Sequence, residues 1–118
     1  MAGIEHKNLS DADESTDWGE FGTSAKVSLG WSGYGLGNES TIWVSTLQPG
    51  WSWQRNIKPT VPFESCPLHH REYVIAGRIR YVMDDGTAVD AGPGEHLLID
   101  PDHQAEVIGD EVCVVLDW

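Results

Sequence analysis

Apolar and polar residues alternate along most of the chain beyond Trp18, in short runs broken by turn residues. A period of two is the signature of strands that put one face on a core. Ala25 to Leu29 is a short strand on this reading, and Thr41 to Leu47, TIWVSTL, is a second that Pro49-Gly50 terminates. Between them, Gly30, Gly33, Gly35 and Gly37 surround Trp31 and Tyr34 in a segment expected to be a loop. Glu64 to Ala76 reads as a strand kinked at Pro67, Gly77 turns or bulges it, and Arg78 to Met83 alternates up to the hairpin signal Asp84-Asp85-Gly86. Thr87 to Asp90, His96 to Ile99, Ala105 to Ile108 and Val112 to Leu116 continue the progression, separated by Gly92-Pro93-Gly94, Pro101-Asp102 and Gly109-Asp110. No segment offers a helix of ordinary length. The pattern predicts an all-β domain closed as a sandwich or barrel.

With 118 residues, 40% of them hydrophobic, the chain has material for one core and not for two. The globular unit is expected over residues 18–118. Residues 1–17 are polar and aperiodic, a flexible arm or an edge segment that orders only by packing on something else. Trp51 and Trp53 share a face if their segment is extended, where they cap a barrel or line its mouth. Nineteen acidic against seven basic residues give a net charge of −12, which opposes nucleic acid and anionic membrane surfaces as partners. Asp11, Asp13, Glu14 and Asp17 contribute part of that charge and read as a solubilising tail. Apolar runs fall far short of the ~20 residues of a membrane span, and no basic-then-apolar leader pattern opens the chain. Two cysteines, Cys66 and Cys113, are too few for a disulfide framework, so a cytoplasmic, reducing compartment is expected. A homodimer is expected as well, because a short barrel exposes sheet edges and the arm can pair with a neighbour's edge.

Candidate chemistry concentrates between Glu64 and Gly77, ESCPLHHREYVIAG, where a carboxylate, a thiol and two imidazoles precede a glycine turn. On a strand, Glu64, Cys66, Leu68, His70 and Glu72 share one face, while Ser65, His69 and Arg71 share the other. Adjacent His69 and His70 therefore oppose one another unless Pro67 or a bulge resets the register. Cys66 and His70 are the more plausible co-ligands, with Glu64 next in the row and His69 facing solvent. Inward-facing Glu64 and Glu72 require a nearby cation, either a metal or one of Arg55, Lys58, Arg71, Arg78 and Arg80.

Tyr73-Val74-Ile75-Ala76-Gly77, together with GPGEHLLIDPDHQAEV from Gly92 to Val107, resembles the two signature motifs of the cupin superfamily. The resemblance implies a cupin-type jelly-roll β-barrel, the double-stranded β-helix of RmlC-like proteins, commonly holding one divalent metal. The family's first motif runs His-x-His, three or four residues, Glu, and an ending like Tyr73 to Gly77; counted back from that ending, His70 stands in the place of the Glu and Cys66 and Glu64 in the places of the histidines. In the second motif Asp102 stands for a glycine, Ala105 for the last histidine, and His103 two residues earlier is the fourth candidate ligand. The segment from Pro49 to Trp118 is similar to short, stand-alone bacterial cupins with no agreed reaction.

The resulting ligand set, His70, Cys66, His103 and Glu64, favours Zn²⁺ among divalent metals, since thiolate and imidazole are borderline-soft donors. Fe²⁺ remains an option through the two imidazoles and the carboxylate if Cys66 is not bound. Two functions stay open: a metal-dependent enzyme acting on a small organic molecule, favoured by the row Glu64, Cys66 and His70, and a metal-free ligand-binding or sensory module, favoured by the absence of a histidine at position 105.

Overall fold

The computed structural model describes residues 4–30 and 39–118. The glycine-rich loop expected around Trp31 and Tyr34 falls outside the described residues. The alternating runs become strands β1 (Glu14–Asp17), β2 (Gly22–Gly30), β3 (Glu39–Leu47), β4 (His70–Ala76), β5 (Arg78–Met83), β6 (Ala88–Ala91), β7 (His96–Ile99), β8 (His103–Ile108) and β9 (Cys113–Asp117). They form two antiparallel sheets, one of six strands in the order β1-β2-β3-β9-β4-β7 and one of three in the order β6-β5-β8. The last strand inserts between β3 and β4, so the sequence-distant halves of the large sheet are joined only through β9. This is an all-β jelly roll, as the alternation and the motif resemblance led us to expect.

Alternation decides what each sheet buries. Leu47, Val74, Cys113 and Val115 of the large sheet meet Ile79, Tyr81, Ala91 and Val107 of the small one in a single core cluster. Each fully buried aliphatic side chain contributes about 1.5–3 kcal/mol, and the core owes its continuity to strands crossing from sheet to sheet at sharp corners. Gly77 is such a corner: β4 shifts register against β9 between Val74 and Ala76, and Gly77 then turns the chain into β5 with φ +72°. A side chain there would run into the Val112 carbonyl and stand 2.6 Å from Cys113 Cα.

Two local expectations change. The segment holding Trp51 and Trp53 is not extended: Ser52 caps a single helical turn, α1 (Trp53–Asn56), by accepting from the Arg55 N–H at 3.0 Å. Both indoles are buried in the core cluster. The strand expected from Glu64 begins only at His70, and residues 64–69 carry just an isolated bridge between Cys66 and His103. Pro67 explains the delay, since it has no N–H for a ladder and restricts the residue before it. Within residues 1–17, Glu14–Asp17 forms the edge strand of the large sheet, and Asp13 extends that contact by pairing its N–H with the Lys26 carbonyl and accepting from the Ser28 N–H. Among the described residues no helix is long and apolar enough to cross a membrane.

Candidate metal centre and its cavity

Cys66 reaches the site without belonging to a strand. Its N–H donates to the His103 carbonyl at 2.7 Å, and its own carbonyl accepts from the Asp102 N–H at 2.7 Å, which docks the irregular segment on the start of β8. Asp102 makes this possible by adopting φ 73°, a left-handed conformation that aspartate tolerates better than most side chains. The position is the one where the cupin motif carries glycine, so the substitution keeps the turn. As a result Cys66 and His103, 37 positions apart in sequence, become neighbours; both are buried, at 7% and 3% exposure.

His70 opens β4 on the inner face. Its Nε2 lies 3.6 Å from Cys66 Sγ, and its Nδ1 donates to Asp117 Oδ2 at 2.7 Å. The His103 ring is held in the same manner, Nδ1 donating to the Asp100 carbonyl at 2.7 Å, and its centroid stands 5.1 Å from that of His70. Cys66, His70 and His103 thus offer three donor atoms all within 4.8 Å of one another. Glu64 is not brought to this cluster: its carboxylate pairs with Lys58 at 2.9 Å, with the side chain 91% exposed. His69 is exposed.

Two residues that the motifs did not single out complete the site. Asp117 sits opposite Glu72 in the β4–β9 register, so two carboxylates share the inner face, and Tyr81 from the small sheet donates its hydroxyl to Glu72 Oε1. The signal for Asp117 was its parity with Cys113 and Val115, which places a carboxylate at the end of a buried row. The cation that an inward Glu72 requires is His70 itself, whose Nδ1 is 4.0 Å from Glu72 Oε2.

These contacts set the protonation states of the metal-free site. Burial pushes the Cys66 thiol up, but hydrogen bonds from His103 and His70 outweigh it and bring the group down to about 6. For His70, burial disfavours the cation, yet bonding to Asp117 and Cys66 and the charges of Glu72 and Asp117 raise it to about 10. Glu72 moves upward, chiefly through burial and also through the Asp117 charge, against the pull of His70. Cys113, buried without such donors, is pushed up to about 11.

The donor set suits Zn²⁺. Bond lengths of about 2.3 Å to sulfur and 2.0–2.1 Å to nitrogen put two tetrahedral ligands roughly 3.5 Å apart, close to the Cys66–His70 separation of 3.6 Å. Both imidazoles are oriented through Nδ1 by a carboxylate or a carbonyl, the outer arrangement that metal-binding histidines use. The three donors lie on the wall of a cavity of about 710 Å³ that Trp18, Trp43, Trp51, Trp53 and Phe63 also line.

No protein-family model matches the chain. No curated protein matches it either. Solved structures do. The polyketide cyclase RemF from Streptomyces resistomycificus superposes with a TM-score of 0.60 at 20% identity, over 97% of this chain and 77% of that one. An RmlC-like cupin from Shewanella frigidimarina gives 0.57 at 12% identity, covering 97% and 90%. Oxalate decarboxylase from Bacillus subtilis, which has Mn(II) centres, gives 0.54 at 22% identity, over 92% of this chain and 28% of that longer one. At such identities the likeness establishes architecture, and the fold of this chain is the RmlC-like cupin fold.

Proposed function

We propose that this protein binds a divalent metal ion, Zn²⁺ ahead of Fe²⁺, through Cys66, His70 and His103, and acts on a small organic molecule held in the adjoining cavity. The observation that carries the reading is the convergence of a low-lying thiol and two pre-oriented imidazoles on one wall of that cavity. Glu64 is left out of the set because its carboxylate is committed to Lys58 at the surface. A metal bound there would polarise a carbonyl or activate water. The chain's own contribution is to fix the two rings, to keep Glu72 able to hold or release a proton beside Tyr81, and to enclose the substrate in aromatic walls. Oxalate decarboxylase, with its Mn(II) centres, supports metal binding on this fold.

Elemental analysis tests the reading. Protein purified with added Zn²⁺ or Fe²⁺ is expected to retain about one metal per chain, and the Cys66→Ala/His70→Ala double variant close to none. Absence of stoichiometric metal from the unmodified protein overturns the proposal. That result would favour the metal-free binding module, which is supported by the fact that His70 already has partners at both ring nitrogens.

We further propose a homodimer formed through the outer face of the large sheet. β1 pairs on one side with its own chain's β2, and the exposed large apolar side chains gather instead on the sheet's outer face. Val44, Leu116 and Tyr73 are in register across β3, β9 and β4, and Tyr73, Ile75 and Leu98 are exposed there. By parity, the side chains projecting outward from 40–47 of β3 and from β9, β4 and β7 include no carboxylate, whereas the whole chain carries a charge of −12. Two copies meeting on this face avoid the repulsion they would meet elsewhere. Free cysteines and net acidity support a cytoplasmic protein without nucleic acid or membrane partners.

A further inference from the structure

The cavity's walls combine two kinds of surface. Four indoles and the Phe63 ring line it with Ile57 and Val61, Thr16, Ser24 and Ser45 add small hydroxyls, and the candidate metal wall brings Glu72, Tyr81 and Asp117, the last opposite Trp43 in the β3–β9 register. Among the described residues its lining contains no lysine and no arginine. Lys26 lies over the Trp43 ring at 5.5 Å and is paired with Glu14 at 3.1 Å. On the polar wall the His70 ring is already taken up by Asp117 and Cys66, and the His103 Nδ1 by the Asp100 carbonyl. An anionic substrate would therefore find no lysine or arginine partner along the aromatic part of the cavity. A sugar could lay its C–H face on an indole, but its several hydroxyls would find few partners along indole and phenyl rings. A flat, uncharged ring system fits on both counts, since its faces stack against aromatic walls and one oxygen substituent suffices to meet the polar wall.

We propose that the cavity selects a neutral, planar aromatic molecule bearing a hydroxyl or carbonyl oxygen, and that Trp43 and Phe63 are specificity-determining residues for it. The inference rests on the preceding reading only in taking this cavity as the substrate site; it does not require that metal be bound. A cavity of about 710 Å³ lies within the range of roughly 300–1,000 Å³ typical of small-molecule sites.

Isothermal titration with three matched probes separates charge from aromaticity: 2-naphthol, the carboxylate 2-naphthoate, and decahydro-2-naphthol, which keeps the hydroxyl and loses the rings' planarity. Titrations are run on zinc-loaded and on chelator-treated full-length protein. Saturable binding of 2-naphthol is expected, with 2-naphthoate at least tenfold weaker and decahydro-2-naphthol at least fivefold weaker. Trp43→Ala and, independently, the rim variant Phe63→Ala are expected to weaken 2-naphthol about tenfold with unchanged circular dichroism and unchanged zinc content. Equal or tighter binding of the carboxylate, equal binding of the saturated alcohol, or no saturable binding of 2-naphthol overturns the proposal. Metal content is measured separately, so a cavity that prefers 2-naphthol in a protein that retains no zinc would refute the metal reading alone. A zinc-binding protein with no aromatic preference would refute this inference alone.

Discussion

Cys66 owes its character to neighbours that arrive from three different parts of the chain. Without His70 and His103 the thiol would follow its burial upward, as Cys113 does. In the metal-free protein the thiolate fraction should rise with pH through about 6, so the rate of alkylation of Cys66 by iodoacetamide should be low at pH 5 and near its plateau by pH 7.5. His70→Ala is expected to move that midpoint upward toward the ordinary thiol range, and a midpoint that stays put would show that the imidazole does not stabilise the thiolate. Glu72 carries the opposite sign. Its carboxyl is raised in the folded state, so the native protein retains a proton that the unfolded chain releases, and stability falls as pH climbs from the ordinary carboxylate value toward the raised one. Glu72→Gln, which keeps an acceptor for Tyr81, should therefore match the parent in acid and exceed its melting temperature as pH rises through that window. Parity placed Glu72 on the inner face from sequence alone; its partners Tyr81 and Asp117 lie on strands whose pairing no local pattern encodes.

Among the elements, the strand runs and their turns were legible because period-two alternation and glycine or proline punctuation act over a few residues. The stretch between Glu64 and His69 was not, because Pro67 breaks the ladder and the parity rule lapses with it. Cys66 still meets His70, but through a bridge to β8 rather than along a shared strand face, and Glu64 turns outward to Lys58. Gly77 offers a test at this scale. Gly77→Ala combines positive φ with overlap against the Val112 carbonyl and Cys113, where β4 hands over to β5, whereas Gly86 has positive φ but nothing within 4 Å. Strain alone costs about 1–2 kcal/mol, so Gly86→Ala should lose about that much in denaturant unfolding. Gly77→Ala should lose several kcal/mol or fail to accumulate; similar losses for the two would mean that the corner yields more readily than its packing suggests.

For the whole molecule, the two faces of the large sheet divide the labour. The inner face carries the candidate metal ligands and the cavity, while the outer face offers Tyr73, Ile75 and Leu98, the last 75% exposed, without a projecting carboxylate on β4 or β7. Light scattering is expected to give twice the chain mass, and Tyr73→Asp/Leu98→Asp to give the monomer with its zinc content intact. A monomeric parent would remove the dimer proposal and leave the site untouched. Metal and stability are linked in the same assembly: free Zn²⁺ at a hundred times its dissociation constant adds about 2.7 kcal/mol, so chelation should lower the melting temperature of the parent and leave that of Cys66→Ala/His70→Ala unchanged.

The sequence by itself determined the all-β class, the positions of most strands and turns, the cupin motifs and the candidacy of Cys66, His70 and His103, because alternation, turn chemistry and motif spacing are properties of neighbours along the chain. Only the tertiary structure decided which candidates converge. It brought Cys66 to His103 through the left-handed turn at Asp102, set Asp117 behind His70 by inserting β9 beside β4, and turned Glu64 away. The physical reason is that ligand geometry depends on distances between strands far apart in sequence, which are fixed by sheet pairing and by packing of the two sheets rather than by any local preference.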